Sequence, residues 1–403
     1  MAASEAAVLP VAGLRLAAVS AGIKTPGRLD LVILELAEGA RVAATFTRNA
    51  FCAAPVQVAR HHLQTALPRY FLVNTGNANA GTGEAGRADA LACCRALAEA
   101  AGVTTDSVLP FSTGVIGEPL PVNTITKALP AALDGLAEAQ WLAAAEGIMT
   151  TDTRPKAASR QIELDGVPVT LTGMAKGAGM IKPNMATMLA FLATDVAVAA
   201  PLLQSLWTEV VDHSFNRVTV DGDTSTNDAA MLVATGVAGV PEISDPADPR
   251  LPMLHEALAS LALELAHALV RDGEGASKFV TVEVAQAASE AEALEVAYTI
   301  AHSPLVKTAL FASDPNWGRL LAAIGRADVP ELDVDRVELR INGVLIAEAG
   351  GRAAGYTEEQ GAAAMAADDI HIQVLLQRGE QSANVWTSDL SYDYVRINAE
   401  YRT

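Results

Sequence analysis

Apolar and polar positions alternate in short bursts along the first part of the chain. Residues 30–36 (DLVILEL), 42–47 and 55–59 predict successive strands, and 71–74 predicts another. Residues 162–164 and 167–172 flank Asp165-Gly166, and 337–341 and 344–346 flank Asn342-Gly343, which are two-residue hairpin turns. The spacing changes to a helical one after the loop 74–83 (NTGNANAGTG), where Ala88, Leu91, Ala92 and Leu97 share a face that ends near Gly102. Further helices are predicted over 128–136, 138–145, 200–213, 254–270 and 289–301, and strands over 188–192 and 279–284. Past Asp328 the pattern turns strand-like again, with 369–376 and 392–398 as strands and an alternating end from 396 to 403. This mixture predicts an α/β (α+β) chain with layered sheets flanked by helices. A larger domain over 1–284 and a smaller C-terminal α+β domain over 285–403 follow from the change in composition.

Composition narrows the possible partners. The 403 residues are 51% hydrophobic but only 4% aromatic, so cores must be built from Ala, Val and Leu. The net charge of -19 argues against nucleic acid and anionic membrane surfaces as partners. The most apolar window, 188–207, is broken by Asp195 and Pro201 and is not expected to span a bilayer. Glu5 and Pro10 disfavour a signal peptide. Cys52, Cys93 and Cys94 make neither a disulfide framework nor a zinc spacing, which suits a reducing cytoplasm. His255-Glu256 lacks the second histidine of a zinc-protease helix, and neither a Gly-x-Ser-x-Gly elbow nor a dinucleotide fingerprint occurs. No metal and no cofactor are therefore expected.

The stretch 176–195 (KGAGMIKPNMATMLAFLATD) draws the chemistry together. A glycine-rich turn flanked by Lys176 and Lys182 meets a constrained bend at Pro183-Asn184, which delivers Thr187 to the start of an apolar strand. Cleavage of the Ala186–Thr187 bond would give Thr187 an α-amine of pKa near ~8 as base for its own hydroxyl. On spacing alone, an ordinary turn before a core strand, with Thr187 merely lining it, is the commoner arrangement. In residues 111–117 (FSTGVIG), hydroxyls beside glycines after a short strand have the layout of an oxyanion hole, or of a plain glycine turn. Residues 149–156 (MTTDTRPK) are polar and expected outside the core. Residues 221–228 (DGDTSTND) resemble a calcium loop but lack its sixth-position glycine and closing glutamate, so a polar turn at the floor of a site is expected instead. In 271–278 (RDGEGASK), Glu274 stands between glycines, either as a carboxylate for a ligand amine or as a solvated loop charge.

These segments, with SDPNWGR at 313–319 and the closing RINAEYRT, resemble the bacterial ornithine acetyltransferases (glutamate N-acetyltransferases) of arginine biosynthesis. The matches run in family order over most of the chain, and KPNMATML is the most specific. The resemblance implies a precursor that cuts itself between Ala186 and Thr187 into associated α and β chains of 186 and 217 residues, assembled as a heterotetramer. It implies transfer of acetyl from N2-acetylornithine to glutamate through acetyl-Thr187, with Thr113 and Gly114 as the oxyanion pair and acetyl-CoA as a further donor in some members. Substrate contacts carry over to Thr153, Lys176, Thr187, Glu274, Asn398 and Thr403, so the C-terminal domain's end is expected to serve the site. The runner-up is a self-cleaving N-terminal-nucleophile aminopeptidase or amidase of related fold, with water as acceptor. Ser277 stands where the family pattern leads one to expect threonine.

Overall fold

The structure, a computed structural model, describes residues 8–182 and 188–400. Contacts divide the chain into two units, one from residues up to Asn216 with Asp223–Leu269, the other from Arg217–Gly222 with residues from Val270 onward. In chain order the elements are β1 (Leu14–Val19), β2 (Leu31–Leu36), β3 (Arg41–Phe46), α1 (Ala54–Thr65), β4 (Tyr70–Asn77), α2 (Gly83–Ala101), β5 (Val108–Val115), α3 (Val122–Asp134) and α4 (Trp141–Gly147). They continue with β6 (Lys156–Leu164), β7 (Val167–Lys176), β8 (Leu189–Thr194), α5 (Ala200–Asp212), β9 (Val218–Thr219), β10 (Ala229–Ala234) and α6 (Leu251–Arg271).

The first unit holds a four-stranded sheet ordered β1-β2-β4-β5 and a five-stranded sheet ordered β3-β10-β8-β7-β6. The LVILEL strand shows why they layer. It has almost no polar face, and its alternate residues feed two cores: Val32, Leu34 and Leu36 face one, Leu31 and Ile33 the other. The first core lies between the sheets, where Phe71, Phe111 and Phe191 meet with ring centroids 5.1 to 5.9 Å apart. Burying each such side chain contributes roughly 2–3 kcal/mol. The second core joins the four-stranded sheet to α2 and α3 through Leu72, Leu97, Ile125 and Leu129. On the far side of the five-stranded sheet, α5 docks by a Trp207 indole N–H donated to the Ala230 carbonyl at 2.9 Å. Helix α6 crosses Gly173, where a Cβ would come within 2.9 Å of Leu265. Although α6 is long and apolar enough to span a membrane, half of its most apolar window is buried. Helix, sheet, sheet, helix is the layered α+β architecture expected.

The second unit continues through β11 (Phe279–Ala287), α7 (Glu290–Ala301), α8 (Pro304–Phe311), α9 (Trp317–Gly325), β12 (Glu338–Ile341), β13 (Val344–Glu348), β14 (Gly351–Arg352), α10 (Glu358–Met365), β15 (Asp369–Leu375), β16 (Gln381–Ser388) and α11 (Tyr392–Glu400). Its seven strands run β14-β13-β12-β15-β11-β16-β9. Val280, Val282 and Val284 of β11 pack with Val296, Ala297 and Ile300 of α7 in one core.

Several expectations are corrected. Residues 55–59 form the first turns of α1 rather than a strand, because Pro55 sits where a helix has no bond to lose and Val58, Ala59 and His62 make a buried helical face. Five residues were too few to show that period. Residues 392–400 are helical, since α11 buries none of its residues and so carries no apolar stripe to read, and residues 401–403 lie outside those described. The domain break expected after residue 284 falls inside β11, and the contacts divide instead near residue 270. The two-residue β9, drawn into the second unit's sheet by parallel pairing with β16, had no periodic signal at all.

Candidate active site

In the first unit, β4 and β5 run parallel until their register slips at Gly76 and Asn77, opposite Thr113 and Gly114. Gly114 has φ +134°, and a Cβ there would sit 2.3 Å from the Gly76 carbonyl carbon. No other residue allows the strands so close. Side chains satisfy the irregular backbone: Asn74 Nδ2 donates to the Asn77 carbonyl at 2.8 Å, and Asn227 Nδ2 donates to the Ala78 and Ser112 carbonyls at 2.6 and 2.9 Å. Ser112 Oγ in turn donates to Asn74 Oδ1 at 2.5 Å. Residues 226–228 of the DGDTSTND turn are thus buried and tie themselves to the strand that carries Thr113.

Lys176 ends β7, and its Nζ donates to Thr113 Oγ1 at 3.3 Å, both side chains being buried. One carboxylate backs this lysine. Asp152 Oδ1 accepts from Lys156 Nζ at 2.6 Å and from the Gly177 N–H at 2.7 Å, while Oδ2 accepts from the Thr150 N–H at 3.0 Å. Burial alone would raise the Asp152 carboxyl, but the Lys176 and Lys156 ammonium groups and these donors hold it down at about 2. The polar segment 149–156, expected outside the core, therefore buries both Asp152 and Lys156. Thr153 beside them is exposed.

Ala186 and Thr187 lie outside the described residues. The position after them is fixed twice: the Ala229 N–H at the start of β10 donates to the Met188 carbonyl at 3.1 Å, and the Met188 N–H reaches the carboxyl of Asp228, the residue before that strand. Burial pushes Asp228 well above the usual carboxylate range, against the pull of the Ser225 hydroxyl, the Met188 N–H and Lys176.

In the second unit, Asn398 Nδ2 donates to Glu274 Oε2 at 2.7 Å, bringing two of the expected substrate residues together. Thr403 lies outside the described residues. Asp389 anchors the Glu274 loop, accepting from the Ser277 N–H at 2.8 Å, Ser277 Oγ at 2.5 Å and the Lys278 N–H at 3.0 Å. Ser277, given no catalytic part by sequence, thus holds the loop with a hydroxyl that threonine would also supply. In SDPNWGR, Asn316 caps α9 by accepting from the Arg319 N–H at 3.0 Å, a structural role.

Sequence reasoning missed Asp152, Lys156 and Asp389 as members of these clusters, and reached Asp228 only as part of the polar turn expected at the floor of a site. The Asp-x-x-x-Lys spacing of 152 and 156 was the available signal, but one residue pair of that kind is common on any surface. Among the described residues no cluster of histidine, cysteine, aspartate and glutamate has the form of a metal site.

A model of the ArgJ family matches residues 15–403. The arginine biosynthesis bifunctional protein ArgJ of Pseudomonas fluorescens is 58% identical over 394 residues, covering 98% of this chain and 97% of that one. Its counterpart from Methylococcus capsulatus is 56% identical over 400 residues, covering 99% and 98%. The crystal structure of arginine biosynthesis bifunctional protein ArgJ from Bacillus halodurans is 39% identical, with a TM-score of 0.51, over 53% of this chain and 100% of that one. With matches of this extent and a hydroxyl, glycine and lysine gathered at one strand end, the chain belongs to the ArgJ family.

Proposed function

We propose that the protein cuts itself before Thr187 and then moves acetyl groups from N2-acetylornithine to glutamate through an ester on that threonine. The Thr187 α-amine takes the hydroxyl proton while Oγ bonds to the acetyl carbon, giving a tetrahedral oxyanion. Thr113 Oγ–H and the Gly114 N–H stabilise it. The C–N bond then breaks, ornithine leaves with the proton returned by the Thr187 amine, and the α-amine of glutamate attacks the acetyl ester in the reverse order. The observation that carries this reading is the Lys176 ammonium on the Thr113 hydroxyl, a buried cation beside a donor at a strand end.

Lys176 supplies a positive group for a substrate carboxylate, Glu274 and Asn398 a pair suited to an ammonium, and Thr153 and Thr403 neutral hydrogen bonds. Because its relatives are named bifunctional, we assign acetyl-CoA as a second donor for glutamate. The cut pieces stay together as a heterotetramer of two α and two β chains in the cytoplasm, where Cys52, Cys93 and Cys94 remain free. A C-terminal product of 217 residues is slightly over half the chain, the same share that matches the complete Bacillus halodurans chain.

Intact-mass measurement of the wild-type protein with N2-acetylornithine tests both steps. Two pieces are expected, the C-terminal one gaining a single acetyl group. Thr187→Ala should stay in one piece and gain none; cleavage of that variant, or an acetyl group on the wild-type N-terminal piece, would refute the reading.

A further inference from the structure

We infer that Asp389 is the positioning residue of the ammonium subsite, holding the Glu274 loop to the turn between β16 and α11 so that Glu274 and Asn398 stand ready for the cationic side chain of the acetyl donor. The inference rests on the acetyl-transfer reading above, which gives Glu274 and Asn398 that ligand. Asn398 Nδ2 donates both to Glu274 Oε2 at 2.7 Å and to the Tyr394 carbonyl at 3.0 Å, acceptors that only the amide nitrogen can serve. Asn398 Oδ1 and Glu274 Oε1 are thereby left as two acceptors without a partner among the described residues. A primary ammonium, with three donors and no acceptor, is the group that uses both.

The loop that carries Glu274 is poorly held by its own residues. Gly273 and Gly275 flank it, and glycine has the most backbone freedom to lose. The tethers come from the end of β16. Asp389, a buried side chain, accepts from the Ser277 N–H, Ser277 Oγ and the Lys278 N–H. Ser391 Oγ donates to the Gly275 carbonyl at 2.6 Å and accepts from the Tyr394 N–H at 3.4 Å, at the start of α11. A Cβ on Gly275 would fall 2.5 Å from that Oγ and from the Tyr394 nitrogen, so loop and helix start are packed together. One turn therefore grips the loop of Glu274 and starts the helix that bears Asn398 about two helical turns further on. Asp389 carries three bonds of this clamp, so its loss is what frees the loop. A carboxylate on a freed loop must be ordered when the ligand arrives, and that cost is taken from donor affinity. Glutamate, whose side chain ends in a carboxylate, gains nothing from the two acceptors.

The test separates the half-reactions by intact mass: acetylation of Thr187 at varied N2-acetylornithine, then loss of that acetyl group at varied glutamate. Asp389→Asn is expected to raise the N2-acetylornithine concentration for half-maximal acetylation by about tenfold, the scale of one lost hydrogen bond to a charged group. The saturating rate and the glutamate half-reaction should not change. In a Glu274→Gln background the same substitution should add no further rise, because the carboxylate it positions is gone. Equal losses in both half-reactions, or an undiminished effect in that background, are what a merely structural Asp389 predicts, and either overturns the inference. So does an Asp389→Asn enzyme with wild-type donor affinity. Because Lys307 lies near Asp389, Asp389→Asn also alters that lysine's surroundings. If the variant is not recovered folded, the exposed Ser277 decides: Ser277→Ala, which removes one of the three bonds, should raise the half-maximal donor concentration, and Ser277→Thr should not. Equal donor affinities in those two variants overturn the inference. A wild-type enzyme that takes no acetyl group from N2-acetylornithine overturns the acetyl-transfer reading itself.

Discussion

Both units bury lysine, and they handle it in opposite ways. In the first, Lys176 and Lys156 both act on one carboxylate, so Asp152 is held at about 2 in spite of its burial. In the second, Lys307 donates to Thr387 Oγ1 at 3.0 Å and to the Ser388 carbonyl, with Asp389 and Asp221 near it. Burial pushes Lys307 down to about 8 although both carboxylates favour its charge. One cluster spends hydrogen bonds to keep a charge available; the other lets the fold absorb one. The contrast separates a group that faces chemistry from a group that ties α8 to the end of β16.

The largest expected effect lies at the first cluster. Thr113→Ala should lower kcat for acetyl transfer by ~10²–10³, the usual result of deleting one oxyanion donor, with the protein still folded by circular dichroism. Unchanged turnover would remove the oxyanion role and with it the functional half of the comparison. Lys307→Met sharpens the other half. A lysine of lowered pKa binds its proton less tightly folded than unfolded, so stability rises with pH between about 8 and the ordinary 10.5, by about 3 kcal/mol. Denaturant titrations across that window should show the rise in wild type and not in Lys307→Met. If the variant instead lost acetyl transfer, the two lysines would not be distinct in kind.

A smaller effect is expected in acid. Asp152 is lowered from 3.8 to about 2, so its stabilisation is complete above the higher value and disappears as pH falls through the lower one, a change of about 2 kcal/mol. The stability gap between wild type and Asp152→Asn should close by that amount over the window. A gap independent of pH would mean that Asp152 holds its proton equally well folded and unfolded, so that the lysines do not lower it.

How much of this was legible depends on whether a signal is local. The hairpins were, because Asp165-Gly166 and Asn342-Gly343 need two successive left-handed residues, and their φ values of 52°, 79°, 45° and 82° match. The double-sided burial of β2 was legible as an unbroken apolar run. The helix at 54–65 was not, because its amphipathic period spans more residues than the apolar burst that drew attention. Strand β10, reading AAMLVA behind a polar turn, was missed because alanine is as much at home in helices. Thr113, Gly114 and Lys176 were legible only as motifs. That Asp152 and Lys156 would be interior was not, since it takes Lys176, brought from another strand, to make burying that pair worthwhile.

Gly114 has one more consequence. With neighbouring backbone 2.3 Å from where a methyl group would begin, the position tolerates no alphabet at all. A library randomised at this codon and selected for growth without arginine should return a single letter, whereas Gly117, with open space beyond its own Cα, is restricted by torsion angle and not by crowding.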